Sequence, residues 1–301
     1  LTQEKAMPSL PFYIVDVFAE TKYAGNQLAV FTHAEALSTA EMQQIAKEMN
    51  YSETTFILSS ELRSGGYDVR IFTPNQELPF AGHPTLGTAF ILQQEIIKQP
   101  VETIVLNLKA GQIPVSIFYE NGLANVLWMQ QRSPIFGQTF AAEAITPMLN
   151  LDTTDIDLRF PIQDVSTGVP FIIVPLKTHQ ALKRIKVNKD RYFALIEKTQ
   201  AKDILVFCPE TYDPENHLSV RVFADSLGIP EDPATGSANG CLAGYLVQYL
   251  YAGKPSIDLR VEQGHEIGRP SLLLLKATKT VANMQVSVGG RVILVARGEF
   301  V

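Results

Sequence analysis

Cysteine is scarce in this chain. Cys208 and Cys241 are the only two in 301 residues. Two cysteines make no disulfide framework. They read as free thiols in a reducing compartment, so a cytoplasmic location is expected. No apolar run approaches the roughly 18 residues of a membrane span, so no membrane is expected as a partner. Leu1 to Pro11 lacks the basic-then-apolar layout of a secretory signal. Basic residues are in deficit. Lys and Arg number 25 against 31 Asp and Glu, for a net charge of −6. Without a basic cluster, nucleic acid is not an expected partner. His33, His179, His217 and His265 are scattered, with no metal-ligand spacing among them. No metal is therefore expected. Glycine-rich phosphate loops and the Gly-x-Ser-x-Gly elbow are absent, which leaves nucleotide cofactors and serine hydrolysis without support.

What is present is a motif stated twice. Arg70-Ile71-Phe72 and Arg221-Val222-Phe223 each open an apolar run. Nine residues after each arginine stands a proline, Pro79 and Pro230, and each proline leads to a glycine with a polar residue after it. These are Gly82-His83 and Gly236-Ser237, with three extra residues before the second glycine. Long helical patterns follow, from Pro84 to Lys98 and from Ala238 to Tyr251. A weaker echo pairs the segment Gly25 to Val30 with Gly168 to Ile173. A period of about 150 residues is too long for a solenoid unit. It predicts two similar domains facing one another, with a site between them that uses one helix start from each.

The rest of the pattern agrees. Strands are expected at Phe12 to Phe18, Leu28 to Phe31, Ser52 to Leu58 and Tyr67 to Thr73. Ser38 and Glu41 fit a capping box, with Met42, Ile45, Ala46 and Met49 on one helix face. The helix after Gly82 is apolar around most of its girth, which marks a buried central helix. Strands follow at Thr103 to Leu108, Ile113 to Tyr119 and Leu123 to Gln130. Ser133 to Gly137 reads as a turn, and the domain boundary is placed there, giving 1–132 and 133–301. A helix near Phe140 to Leu149, strands at Phe171 to Pro175 and Ile204 to Cys208, and the second buried helix repeat the style. Strands at Ile257 to Glu262, Ser271 to Lys276, Met284 to Gly289 and Val292 to Phe300 close the chain. The last strand, within 291–301, is expected to pack with the first half. Strands run together around one apolar helix per half, so the class is α+β rather than alternating βαβ.

Several residues could carry chemistry. A helix N-terminus presents unpaired N–H groups and a partial positive charge, and glycine lets a ligand approach it. Two such ends could hold a small carboxylate; alternatively, Gly82 and Gly236 only make tight turns. Glu53 stands among Tyr51, Ser52, Thr54, Thr55 and Phe56. There it is either a general acid or base tuned by desolvation or a solvated edge-strand carboxylate. Asp232, before Pro233, reads as turn chemistry or as a site residue. His83 could cap its helix or relay protons. Cys208 and Cys241 read as core.

Together these motifs resemble a family. Asp16-Val17-Phe18 with Gly25-Asn26, Ser52-Glu53-Thr54, Phe72-Thr73-Pro74 and the run Glu77 to Pro84 come first. Then come Asp232-Pro233-Ala234-Thr235-Gly236-Ser237, Gln263-Gly264 and Gly268-Arg269-Pro270-Ser271. In this order they resemble the PhzF-like isomerases of phenazine biosynthesis, within the diaminopimelate epimerase superfamily. The resemblance implies two pseudo-symmetric domains, each a strongly curved, mostly antiparallel sheet around a central helix. It implies that Glu53 moves a proton between carbons of a small carboxylate-bearing metabolite, with no cofactor. His83 and Asp232 would support it. Gly82, Gly236 and Ser237 would hold the substrate carboxylate, and Asn26 and Ser52 would line the same cleft. The superfamily's epimerases place cysteines where this chain has Ala81 and Thr235, which argues against a thiol racemase. A homodimer is implied. The alternatives are an epimerase acting at one carbon through Glu53 with Asp232 or His83, and a binding protein without turnover.

Overall fold

The computed structural model describes residues 9–301. Most of the segment read for a secretory signal lies outside that range. The chain forms two compact units. One comprises the residues up to Tyr23, Gln27–Met129 and Arg291–Val301; the other comprises Ala24–Asn26 and Gln130–Gly290.

The first unit contains β1 (Leu10–Val17), β2 (Asn26–Phe31), α1 (Thr39–Met49), β3 (Glu53–Ile57), β4 (Tyr67–Phe72), β5 (Glu77–Leu78) and α2 (Gly82–Ile91). β6 (Thr103–Leu108), β7 (Gly111–Glu120) and β8 (Leu123–Gln131) follow, and the C-terminal strand Val292–Phe300 pairs antiparallel with β1 along its whole length. Next to β1 lies β2, which runs parallel to β3. β3 and β5 are antiparallel to β4, and β6 is parallel to it. Every residue of α2 is buried. The helix touches β1, β3, β6, β7 and the C-terminal strand, which requires a sheet bent around it. Its approach is close. A Cβ on Gly87 would stand 2.6 Å from Leu28 Cδ2 and 2.9 Å from Val17 Cγ2. The sequence pattern reads one helix from Pro84 to Lys98. The structure starts it at Gly82 and changes it to a π-helical turn over Leu92–Ile97, which ends at Lys98 with a left-handed backbone. On the sheet's other face α1 packs over Phe31, Phe56 and Phe72. The Ser38–Glu41 capping box starts it as expected.

The second unit contains β9 (Ile135–Phe140), α3 (Ala142–Leu149), β10 (Ile162–Ser166), β11 (Pro170–Pro175), α4 (His179–Lys183) and α5 (Lys189–Ile196). β12 (Asp203–Cys208), β13 (Leu218–Ala224), β14 (Ile229–Asp232), α6 (Gly236–Gln248), β15 (Ser256–Gln263), β16 (Ser271–Lys279) and β17 (Met284–Gly290) complete it. The pairing repeats that of the first unit. β11 is parallel to β12 and β13 to β15, while the remaining ladders are antiparallel. α6 is buried along most of its length and touches β10, β11, β15, β16 and β17.

Several elements differ from the sequence expectation, among them α4, α5 and the short strands β5 and β14, which it did not include. Ser133 to Gly137, read as a turn, leads into strand β9. Most β9 side chains are exposed, so no apolar alternation announces the strand. Its partner β10 was likewise unread.

Register fixes the equivalences between the units. Leu28 pairs with Glu53, and Phe171 with Asp203. Ile71 pairs with Leu78, and Val222 with Asp232. Asp232 therefore takes the place of Leu78, and Pro233, not Pro230, takes the place of Pro79. The three extra residues of the second copy lie in the turn between β13 and β14, where Asp225–Leu227 form a single 3-10 turn. From Glu77 to Gly82 and from Glu231 to Gly236 the two copies run without a gap.

Candidate active site

The best-defined chemistry lies around the starts of the two central helices. α2 and α6 begin at Gly82 and Gly236, both buried, and neither has a side-chain cap. α1, α4 and α5 are capped by Ser38, Thr178 and Asn188. α3 also lacks a cap, but Ala141 and Glu143 at its start are exposed to water. First-turn N–H groups have no intrahelical acceptor, and a buried end without a cap is where an anion is expected. Pro84 has no N–H, so Gly82 and His83 are the first-turn donors ahead of Thr85, whose N–H returns to Ala81 O at 3.4 Å. In α6 the corresponding donors are Gly236, Ser237 and Ala238, ahead of Asn239.

In the first unit, Glu53 opens β3 and His83 is the second residue of α2. His83 Nε2 lies 3.4 Å from Glu53 Oε2, at the outer edge of hydrogen-bond distance. The His83 side chain is only 5% exposed and that of Glu53 13%. Burial pushes the imidazole pKa down to about 3, against a backbone hydrogen bond to Gln27 that favours the charged form. His83 is therefore neutral at pH 7, able to donate or accept one hydrogen bond beside a carboxyl group. Ser52, half-buried, precedes Glu53.

In the second unit, Asp232 ends β14 and is buried. Asn26 Nδ2 donates to its Oδ1 at 2.9 Å and to Ala234 O at 2.9 Å. The Thr235 hydroxyl donates to its Oδ2. Burial raises the Asp232 pKa to about 6, and the charges of Asp203 and Glu231 push the same way. The two donated hydrogen bonds oppose that shift. Gly236 and Ser237 follow at the start of α6. The structure thus brings Glu53 beside His83, and Asn26 beside Asp232.

Sequence reasoning gave no role to three residues that build this loop. Gln263, at the end of β15, hydrogen-bonds to Asp232 O, Thr235 Oγ1 and the Thr235 N–H. Asn239 Nδ2 donates to Thr235 O and Gln263 Oε1. Arg269 donates to Gly25 O at 2.9 Å and Ala24 O at 2.6 Å, while Gly25 N–H reaches Pro270 O. Arg269 thereby fixes the segment that carries Asn26. The available signal was the pair of motifs Gln263-Gly264 and Gly268-Arg269-Pro270, quoted above for the resemblance alone.

Both cysteines are fully buried, and burial raises each thiol pKa to about 12. Among the described residues, no group of three or more His, Cys, Asp or Glu side chains is arranged to hold a metal ion. No helix among them is long and apolar enough to cross a membrane.

A central helix wrapped by a sheet, built twice in one chain, is the architecture of the racemase and epimerase fold. A probable proline racemase from Agrobacterium radiobacter shares it, with a TM-score of 0.65 at 9% identity over 97% of this chain and 93% of the other. Sequence then narrows the class. The chain belongs to the phenazine biosynthesis-like protein family, which matches residues 15–298. An uncharacterized isomerase of Pasteurella multocida is 35% identical over 294 residues, covering 96% of this chain and 93% of the relative. The trans-2,3-dihydro-3-hydroxyanthranilate isomerase of Pseudomonas aeruginosa is 33% identical over 282 residues, 93% of this chain and 95% of that one. The PhzF-family protein of Bacillus anthracis superimposes with a TM-score of 0.89 at 30% identity, over 98% of this chain and 100% of the other. The protein is an enzyme of the isomerase class.

Proposed function

We propose that the protein moves a proton between two carbons of a small carboxylate-bearing metabolite, without a cofactor. In this reading the substrate lies at the starts of the central helices. Its carboxylate takes the N–H groups at the buried starts of α2 and α6, with Ser237, Ser52 and Asn26 around it. Glu53 accepts a proton from one carbon, and the electron pair passes into the substrate's conjugated system. The same proton then returns to another carbon, so one C–H bond breaks, one forms and nothing is oxidised. Neutral His83 steadies the carboxyl while it carries the proton, and Asp232 polarises the substrate. Exclusion of water keeps the proton from exchanging.

The observation that carries this reading is the Glu53–His83 pair at 3.4 Å, a buried imidazole beside a partly buried carboxyl, placed where α2 starts without a cap. The relative acting on trans-2,3-dihydro-3-hydroxyanthranilate supplies the first substrate to try. Glu53→Gln keeps the size of the side chain but cannot accept the proton. Turnover should fall by roughly two to four orders of magnitude, the usual worth of general acid–base catalysis. A product analogue should still bind, as read by calorimetry. Near-wild-type turnover would remove Glu53 from the mechanism.

Epimerisation at one carbon is the second reading. It is favoured by Asp232, a second buried carboxyl that titrates near 6. Solvent deuterium entering the starting carbon would select it. A homodimer and a cytoplasmic location complete the proposal. Light scattering tests the former. The two free, buried thiols support the latter.

A further inference from the structure

Around Asp232 the hydrogen bonds have a direction, and one residue sets it. Gln263 is 1% exposed at the end of β15. Its amide cannot be turned around. Oε1 accepts the Thr235 backbone N–H at 3.2 Å, and Nε2 donates to the Asp232 backbone carbonyl at 2.8 Å. Neither backbone group can exchange roles, so a flipped amide would set donor against donor and acceptor against acceptor. Asn239 Nδ2 adds a second donor to Oε1, at 2.9 Å. The remaining Nε2 hydrogen points at Thr235 Oγ1, 3.0 Å away. That hydroxyl is already an acceptor there, so its own proton goes to Asp232 Oδ2.

The backbone on either side holds the amide in place. Gly264, which follows Gln263, has φ +79°, and a Cβ there would stand 2.6 Å from Pro233 O and 2.4 Å from Arg269 O. The strand end that carries Gln263 is therefore pressed against the loop that carries Asp232. The first unit has none of this. Its register places Leu108 where Gln263 stands, and Leu78 where Asp232 stands. The amide and the carboxylate occur together in one unit and are both replaced by leucine in the other.

We propose that Gln263 is a positioning residue whose fixed amide orients the Thr235 hydroxyl toward Asp232, and thereby sets how readily Asp232 takes up a proton. Its bearing on turnover rests on the function proposed above; its bearing on Asp232 does not. The charged groups that act on Asp232 are Asp203 on β12 and Glu231 beside it on β14. Glu231 is itself paired with Arg221 at 2.6 Å. Both carboxylates raise the proton affinity of Asp232, and the Asn26 and Thr235 donors lower it. Removing the Thr235 donor should leave the carboxylates and burial less opposed.

The test is a carboxyl-carbon NMR titration of Asp232 in the resting protein, which needs no substrate. Gln263→Glu keeps the shape but offers an oxygen to Thr235, so the hydroxyl turns away and a negative charge arrives. The Asp232 midpoint should rise by about one pH unit or more, a tenfold gain in proton affinity. Gln263→Leu frees the hydroxyl without adding charge and should give a smaller rise. Thr235→Val removes the donor itself, and Gln263→Leu added to Thr235→Val should then change nothing further. That non-additivity separates action through Thr235 from general loosening of the loop. Thr235→Val also keeps the test decisive if a Gln263 variant fails to fold, because an unmoved midpoint in it overturns the proposal. So would an unmoved midpoint in folded Gln263→Glu, or full additivity in the double variant. The acid limb of kcat/KM, followed in the same variants, should move with the NMR midpoint. If the midpoint moves and the rate profile does not, the role given to Asp232 in turnover fails while the positioning of Asp232 by Gln263 stands.

Discussion

The two units wrap a sheet around a central helix in the same way and then differ at four positions that bear on the chemistry. Arg70 on β4 pairs with Glu77 through two hydrogen bonds at 2.9 Å and lies 5.0 Å from the Phe72 ring centre. Arg221 on β13 pairs with Glu231 and lies 5.0 Å from the Phe223 ring centre. Thr85 returns its hydroxyl to Ala81 O, and Asn239 returns its amide to Thr235 O, one turn back in each helix. Within this shared frame Glu53 corresponds to Asp203, His83 to Ser237, Leu78 to Asp232 and Leu108 to Gln263. The duplicated scaffold positions helix starts and strand ends; the chemistry lies in the positions where the copies disagree. One unit holds a carboxyl beside a neutral imidazole. The other holds a carboxyl caged by donors.

The largest test of that contrast sets Asp203 against Glu53. Both open equivalent strands, yet Asp203 is pinned by Ser226 Oγ at 2.7 Å and Tyr192 OH at 3.4 Å. Asp203→Asn should leave turnover within a few-fold, while Glu53→Gln loses about two to four orders of magnitude. Comparable losses would mean that the copies share the chemistry as well as the frame.

The arginines come next. Arg221 is 8% exposed and also donates to Leu182 O and Ile185 O, whereas Arg70 is 24% exposed. Arg221→Met leaves a buried Glu231 and those carbonyls unmatched. It should destabilise the protein by about 3–5 kcal/mol in urea unfolding. Arg70→Met should cost about 1–3 kcal/mol, because water reaches its partners. Equal losses would show that burial does not separate the two pairs.

The pH dependence of stability should have opposite signs in the two units. His83 has a folded pKa near 3, below its unfolded value of 6.5. Its contribution is complete above pH 6.5 and is lost as pH falls toward 3. Asp232 has a folded pKa near 6, above its usual value of 3.8. Its contribution is complete below 3.8 and is lost as pH rises through 6. His83→Gln should therefore gain on the wild type as pH falls from 7 to 4, and Asp232→Asn should lose ground over the same range. Each slope is bounded at about 1.4 kcal/mol per pH unit. Slopes of the same sign would contradict the burial assigned to one of the two groups.

The smallest effect concerns the thiols. Cys208→Ala and Cys241→Ala should each cost about 1 kcal/mol of stability and leave turnover unchanged in folded protein. Lost turnover would reveal a nucleophile that the fully buried thiols do not suggest.

What the sequence disclosed follows from where its signals are local. The central helices were legible because residues apolar all round can only be buried, and α1 because Ser38 and Glu41 lie three residues apart. The repeat was legible at Gly82 and Gly236, where the copies align without gaps. Its earlier part was misaligned at Pro230, since the insertion at Asp225–Leu227 cannot be located without strand register. β9 escaped because an exposed edge strand has no alternation. Glu53 with His83, and Asn26 with Asp232, could be named from family motifs. Gln263 could not be assigned, because its meaning is a set of hydrogen-bond partners about 30 residues away in sequence.

The pairing of β1 with residues 292–300 has a consequence for biosynthesis. From Leu10 to Val17, one edge of β1 waits for a strand that leaves the ribosome only after the whole second unit has been made. The second unit can fold as it emerges. The first must hold an open strand edge until translation has passed it, and such an edge can recruit another nascent chain. Chains cut short before residue 292 should therefore accumulate as aggregates rather than as a smaller soluble enzyme, and fusions that bury or delay residues 292–300 should lower yield more than fusions placed elsewhere.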